Sequence, residues 1–192
     1  RQADARVAGM DDTGAEVVRL DESGQPLDVA TVNSWSRRLQ DVGTSELLQT
    51  MAVNAASPFV LCSRLKQILT PTAADPRKSH IINVSALEGK FRVGKKSSAH
   101  PHTNMAKAAL NMMTLTCARD YARDGILVNA VDTGWVTDMA PGGVGVKAAR
   151  HQTHVGPPLD EEDGAARVLD PILCHLNEGT AEFGAFYKDY RR

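Results

Sequence analysis

The chain has 192 residues, enough for one domain with a sizeable hydrophobic core and short for two full domains. Its 22 basic and 23 acidic residues give a formal net charge of -1, so we expect neither nucleic acid nor an anionic membrane among its partners. A small-molecule substrate or another protein fits this charge balance better.

The first part of the chain, residues 1–44, is polar and lacks strong helical periodicity. Within it, EVVRLDESGQPLDVATV places two partly alternating runs around a Glu-Ser-Gly-Gln turn, which favours a β-hairpin or an irregular segment. From Thr44 onward, apolar residues recur at helical spacing, and Thr44 or Ser45 can cap the helix. We expect Pro58 to kink or divide this helix over 45–69, because proline removes a backbone donor.

Two short β-branched runs follow, HIINVS at 80–85 and ILVNAV at 126–131, which are typical of strands buried in a parallel sheet, the first on both faces. A helix over 102–123 separates them, and Gly125 is expected to end it. After a Gly- and Pro-rich segment, LDEEDG opens a last helix with the acidic residues that a helix amino terminus favours. EFGAFYKDY is expected to close the chain as a strand.

This alternation of helices and strands predicts an α/β fold with a parallel sheet. We interpret residues 1–192 as one domain, a partial or truncated Rossmann-like, doubly wound sheet with 1–44 as an irregular or hairpin segment. Ligands of such sheets bind beyond the carboxyl ends of the strands. Ser85 and the stretch 132–137 are therefore expected to line a site, with Lys107 directed at the same edge.

Three cysteines, Cys62, Cys117 and Cys174, lie far apart and form no CxxC pair, which indicates buried free thiols in a reducing compartment. No apolar run of about 18 residues occurs, so we expect no membrane span. The amino-terminal residues carry charges throughout and show no signal-peptide core. We therefore expect a cytoplasmic protein.

Four stretches, in order, resemble the carboxy-terminal part of the short-chain dehydrogenase/reductase family. MAVNAASPFV resembles the helix that supplies the family's asparagine, at Asn54, and IINVSA resembles the strand that supplies its serine, at Ser85. NMAKAALNMMT is similar to the Tyr-x-x-x-Lys helix, with Lys107. GILVNAVDTGWVTDM is similar to the strand and Pro-Gly loop that meets the nicotinamide.

The resemblance implies hydride transfer between NAD or NADP and an unknown carbonyl or alcohol. In that family the tyrosine exchanges a proton with the substrate oxygen, and the serine hydrogen-bonds that oxygen. The lysine binds the nicotinamide ribose and lowers the tyrosine pKa, while the asparagine supports a proton relay. The resemblance assigns the serine role to Ser85, the lysine role to Lys107 and the asparagine role to Asn54.

The tyrosine position is occupied by Thr103, whose aliphatic hydroxyl is a poorer acid than a phenol. We expect Thr103 to orient a substrate or water, with His100 or His102 as alternative proton donors. His102 would need an unusual geometry, because one residue along a helix turns the side chain by about 100°.

The loop after the second strand also departs from the family, since Thr133 replaces the proline of its Pro-Gly pair. Gly134, Val136 and Thr137 are still the expected cofactor contacts. No Gly-rich phosphate loop follows a predicted strand. Two functions therefore stay open: an impaired NAD(P)-dependent oxidoreductase, or a catalytically silent relative that serves assembly.

Further expectations concern partners and metals. Helices 45–69 and 102–123 would form the homo-oligomer contacts typical of the family, and an edge of the sheet would be left partly exposed. HPH at 100–102 and HQTH at 151–154 lack a third ligand that would complete a metal site, so we interpret their histidines as surface residues. The basic cluster of the loop after the first strand is interpreted as solvated, with contact to a cofactor phosphate or an acidic partner as the alternative; its members are Lys90, Arg92, Lys95 and Lys96.

Overall fold

The computed structural model describes residues 30–73, 76–93, 96–136 and 159–192. Helices pack on a three-stranded sheet in which β1 (Ser79–Ser85), β2 (Ile126–Asp132) and β3 (Phe186–Lys188) lie in that order. Both strand pairings are parallel. The α/β class and the parallel sheet predicted from the sequence are confirmed.

The first long helix is divided at the predicted place. Helix α1 (Thr44–Met51) runs into a π-helical turn (Ala52–Ala56), and α2 (Ser57–Leu69) continues from it. Pro58 lies in the first turn of α2, where a missing backbone N–H costs least. Proline has no N–H to donate to a carbonyl of the preceding turn, so one helical hydrogen bond is missing. The wider π-helical turn accommodates this missing bond.

Helix α3 (Pro101–Arg123) packs along the sheet with one apolar face. The buried residues of this face are His102, Ala106, Leu110, Thr114, Ala118 and Tyr121. Ala118 and Tyr121 form the core cluster with Ile126 and Val128 of β2. Gly125 adopts a φ of 77°, which lets the chain leave the helix and enter β2 directly, so the predicted helix end is confirmed.

The strands β1 and β2 differ in burial. Strand β2 is buried along its whole length, whereas most of β1 is only half-buried and Val84 is 46% exposed. The expectation of a first strand covered on both faces is therefore wrong. Within the described ranges, β1 pairs with β2 on one side and with no strand on the other, so its outer edge is open, as the sequence had indicated for the sheet.

The last helix, α4 (Glu161–Glu178), has the expected acidic start. The Asp160 carboxylate accepts a hydrogen bond from the Asp163 backbone N–H at 2.8 Å, which caps the first turn. Gly179 ends the helix with a φ of 75°.

The three cysteines are free as expected, but only Cys62 is buried, because Cys117 and Cys174 lie at half-exposed helix positions.

Residues 30–43 lie against the amino terminus of α3. The hairpin interpreted over 16–32 falls almost entirely outside the described residues, and the part that follows consists of turns and a short 3₁₀ helix, Leu39–Asp41. The backbone N–H of His100 donates to the carbonyl of Arg37 at 2.8 Å, and the Arg37 guanidinium pairs with Glu46.

In the ranges that the structure describes, no helix has the length and apolar character that crossing a membrane requires.

Candidate active site

A cavity of about 680 Å³ opens where β1 and β2 end. Its lining includes the four residues that the sequence singled out for catalysis, namely Asn54, Ser85, Thr103 and Lys107. Gly134 and Val136 line it as well, whereas Thr137 lies outside the described residues. The residues grouped by sequence pattern are therefore neighbours in space.

Lys107 reaches the end of β1 from the second turn of α3. Its Nζ donates a hydrogen bond to the carbonyl of Val84 at 3.0 Å. Burial lowers the pKa of Lys107, because the charged ammonium loses hydration. An ammonium has three donors, so this one contact leaves two for the hydroxyls of a ligand in the cavity.

Ser85 is held by Asn111, a residue that was not predicted from the sequence. The contact is made by the Ser85 hydroxyl. Its Oγ donates to Oδ1 of Asn111 at 2.5 Å, while Nδ2 of Asn111 is buried and has no hydrogen-bond partner in the described structure. A half-turn of this amide would let Nδ2 donate to Ser85 instead, which frees the serine proton for a substrate oxygen. Asn111 follows Lys107 by one helical turn, and that spacing was the available signal.

The backbone around this serine is closely packed. A Cβ atom at Gly89 would lie 2.8 Å from Nδ2 of Asn111 and 2.8 Å from the backbone N of Ala108. Only glycine allows the loop after β1 to approach α3 this closely. The short 3₁₀ helix Leu87–Gly89 thereby fixes the position of the strand end next to Lys107.

Asn54 enters the cavity from the π-helical turn. Its Nδ2 donates to the carbonyl of Thr50 at 3.2 Å, so the amide is oriented by its own helix. Single π turns within α-helices are common at functional sites, because the wider turn redirects side chains and backbone carbonyls.

Asp132, the last residue of β2, joins three segments of the site. Its Oδ2 accepts from the backbone N–H of Leu87 at 2.6 Å, and its Oδ1 accepts from that of Gly134 at 2.7 Å. Lys188 of β3 places its Nζ 2.9 Å from the same Oδ1. The sequence placed Asp132 at the site edge, and Gly134 is a local partner two residues away. Leu87 and Lys188 lie far from Asp132 in the chain and could not be predicted from spacing.

Gly134 is required by both conformation and space. Its φ is 81°, a left-handed value that favours glycine, and a Cβ atom there would lie 2.6 Å from Cδ1 of Leu159. The loop after β2 can therefore bring its backbone to the cavity beside Val136.

Thr103 and His100 form a hydrogen-bonded pair at the start of α3. The Thr103 hydroxyl donates to the backbone carbonyl of His100 at 2.8 Å, and Nδ1 of His100 lies 3.1 Å from the same hydroxyl oxygen. The His100 ring also packs against Trp35, with ring centroids 5.1 Å apart. The hydroxyl proton of Thr103 is therefore already engaged in a hydrogen bond within the first turn of α3.

The two histidines flanking Pro101 occupy different environments. His100 lines the cavity, whereas His102 is 3% exposed and does not. Nε2 of His102 lies 3.3 Å from the Glu46 carboxylate of α1. The interpretation of both as surface histidines is wrong for His102, because its burial depends on the packing of α3 against other elements such as α1, which the local pattern does not show. Of the two alternative donors, only His100 is in place.

The cavity suits one end of a nicotinamide dinucleotide. Lys107 supplies a cation with free donors for ligand hydroxyls, and Gly134 permits close approach of a ligand to the backbone. In the described ranges, no strand leads into a Gly-rich turn at a helix amino terminus, which is the arrangement that binds the pyrophosphate.

The chain is similar to known proteins in sequence and in fold. A family model described as Enoyl-(Acyl carrier protein) reductase matches residues 7–170. An uncharacterised protein of Acanthamoeba polyphaga mimivirus is 28% identical over 156 residues, which cover 78% of this chain and 32% of that protein.

Several solved structures share the fold. The carbonyl reductase Sniffer of D. melanogaster matches with a TM-score of 0.58 and 24% identity, covering 82% of this chain and 60% of that one. A short-chain dehydrogenase from Burkholderia cenocepacia in complex with NADP matches with a TM-score of 0.59 and 23% identity, covering 80% and 59%. An NADPH-bound carbonyl reductase from chicken fatty liver matches with a TM-score of 0.54 and 20% identity, covering 82% of this chain and 60% of that one.

These matches also define the extent of the likeness. The chain spans 32% of the curated relative and about three fifths of each of the three structures. The structural matches show that the sheet and its helices are a fragment of the Rossmann-like fold.

Proposed function

The chain belongs to the short-chain dehydrogenase/reductase family, and on this basis we propose that it is an NAD(P)-dependent oxidoreductase that interconverts a carbonyl and an alcohol. The observation that carries the proposal is the meeting of Asn54, Ser85 and Lys107 in one cavity at the strand ends. These residues are distant in sequence and belong to three different elements.

Each of these residues has a role that fits its surroundings. Ser85 hydrogen-bonds the substrate oxygen once the Asn111 amide supplies its own donor. Lys107 holds the ribose with the two donors that Val84 leaves free. Asn54 supports a proton relay from the π turn, and Gly134 and Val136, with Thr137, contact the cofactor. When bound, the cofactor supplies or accepts the hydride.

The activity is expected to be impaired relative to a tyrosine-containing site. Thr103 occupies the tyrosine position, and its hydroxyl donates a hydrogen bond to the carbonyl of His100. An aliphatic alcohol ionises far less readily than a phenol, so it cannot take over the proton transfer at comparable rate. The three free cysteines support a reducing, cytoplasmic location for this chemistry.

Titration with NADH and NADPH tests the proposal. We expect saturable binding of at least one of them below about 1 mM, measured by nicotinamide fluorescence or calorimetry, since Lys107 and the loop after β2 are in place. AMP, which lacks the nicotinamide end, is the matched control and should bind more weakly. No binding of either cofactor at several millimolar would contradict the proposal and favour a silent relative that serves assembly.

We also propose that the chain forms a homo-oligomer through residues 45–69 and 102–123. Large apolar side chains are exposed on these helices, at Leu48, Val53, Phe59, Val60, Leu61, Leu65, Ile68, Met105, Met112 and Leu115. Contiguous exposed apolar surface favours association. Light scattering after size exclusion should give twice the chain mass of 20.7 kDa or more, and a monomer at high concentration would contradict this interface.

A further inference from the structure

We propose that Nε2 of His100 exchanges the proton with the substrate oxygen, and that Thr103 is a positioning residue that holds the imidazole in the required tautomer. The inference rests on the proposed function and assigns the step that the missing tyrosine leaves open. It is carried by the hydrogen bonds at the start of α3 and by the placement of His100 in the cavity.

The hydrogen bonds at the start of α3 favour one tautomer. The Thr103 hydroxyl lies 2.8 Å from the carbonyl of His100, which can only accept, so we assign its one proton to that bond. With that assignment, the contact of 3.1 Å between Nδ1 of His100 and the same oxygen takes its proton from the imidazole. Nδ1 then carries the hydrogen, and in the neutral ring the lone pair lies on Nε2. A base that accepts a proton from an alcohol needs this arrangement.

The imidazole is held firmly at the cavity. His100 has a φ of 43° and a ψ of 47°, a left-handed conformation that is uncommon for residues other than glycine. Its backbone N–H is bonded to Arg37, and its ring packs on Trp35 with centroids 5.1 Å apart. The residue lines the same cavity as Ser85 and Lys107.

The surroundings of His100 bear on its protonation. Burial is the main cause that lowers the pKa of His100, and His102 lowers it further, whereas Glu88 and the Asn104 side chain oppose the shift. Neutral imidazole therefore dominates near neutral pH. Alcohol oxidation, which needs the free base, should proceed at pH 7 and weaken as the pH falls through the His100 pKa. Carbonyl reduction, which needs the imidazolium, should show the opposite dependence.

The chemistry balances with a nicotinamide dinucleotide as the redox partner. In oxidation, the alcohol O–H bond breaks and its proton passes to Nε2 of His100, so the neutral ring becomes imidazolium. The carbon–hydrogen bond breaks with its electron pair, which leaves as hydride to the oxidised dinucleotide, and the C=O π bond forms. Reduction reverses each transfer, with the reduced dinucleotide as hydride donor.

Nitrogen-15 NMR of histidine-labelled protein tests the tautomer directly. The His100 signals are identified by their absence in His100→Gln. We expect the wild type to show the Nδ1–H tautomer, Thr103→Ser to keep it, and Thr103→Val to lose it, because valine has no hydroxyl to accept the bond. An Nε2–H tautomer in the wild type would overturn the inference.

Turnover and cofactor binding provide the second readout, with NADPH as donor and phenanthrenequinone as probe carbonyl. His100→Gln should lower kcat at least ~100-fold and flatten its pH profile near neutrality, while the Kd for NADPH stays within about twofold. His175→Gln, a matched change on α4 outside the cavity, should leave both unchanged. A His100→Gln rate close to wild type would overturn the inference, whereas failure of the wild type to bind NADPH would overturn the proposed function itself.

Discussion

Replacing Asp132 with alanine is expected to lower the free energy of unfolding by roughly 3 kcal/mol and to abolish measurable NADPH binding. Asp132 is 7% exposed, and its carboxylate accepts three hydrogen bonds, from Leu87, Gly134 and Lys188. Alanine leaves two backbone N–H groups without their acceptor and one ammonium without its counter-charge. Chemical denaturation and nicotinamide fluorescence measure the two effects.

The large effect follows from where these partners lie. Leu87 belongs to the loop after β1, Gly134 to the loop after β2, and Lys188 to β3, so one carboxylate ties together the segments that form the cavity. Loss of the loop positions should remove the proposed cofactor contacts even in molecules that remain folded. Stability and binding are therefore expected to fall together.

A surface ion pair provides the control. Asp120 of α3 lies 2.8 Å from Lys66, and the two side chains are 65% and 30% exposed. Ion pairs between exposed side chains contribute little to stability. Asp120→Ala should thus leave the free energy of unfolding and NADPH binding nearly unchanged. If Asp132→Ala were as mild as Asp120→Ala, the linking role of Asp132 would be wrong.

The sequence predicted those elements whose signals are local. The periodicity of α3 and the β-branched run of β2 located both elements to within a residue or so, because one packs a helical face on the sheet and the other is buried throughout. Pro58 likewise indicated the interruption of the first helix, since its missing N–H acts within one turn. Order and spacing of Asn54, Ser85 and Lys107 were sufficient to group them.

Features that depend on distant neighbours could not be predicted. The half-burial of β1 depends on which strands pair with it, and its residue pattern alone is the same for an edge or a central strand. The burial of His102 depends on the packing of α1, with Glu46, against α3, which the local pattern of either helix does not show. The bond from Ser85 to Asn111 also required the packing of the strand end on α3.

Replacing Lys107 with methionine should separate binding from stability. Loss of the charged hydrogen bonds that we propose between Lys107 and the ribose is expected to weaken NADPH binding by roughly 10- to 100-fold, corresponding to about 1.4–2.8 kcal/mol. The free energy of unfolding should stay equal or rise near neutral pH, because methionine is similar in size and needs no hydration. Fluorescence titration and thermal unfolding on the same samples measure both.

The sign of the stability effect follows from the lowered pKa of Lys107, whose cause is burial of the ammonium. The folded chain holds this proton less tightly than the unfolded chain, so the charged lysine opposes folding at neutral pH, and its cost disappears as the pH rises toward the unfolded value of about 10.4. The stability gain of Lys107→Met over wild type should therefore shrink at alkaline pH.

Lys90→Met is the matched control for this substitution. Lys90 is exposed, lies over the Phe186 ring at 4.4 Å and does not line the cavity, so its replacement should change the Kd for NADPH by less than about twofold. Equal NADPH affinity in Lys107→Met and wild type would refute the ribose role. A large loss of stability in Lys107→Met would instead show that the bond to Val84 supports the fold, because the Val84 carbonyl would then have lost a donor that the strand needs.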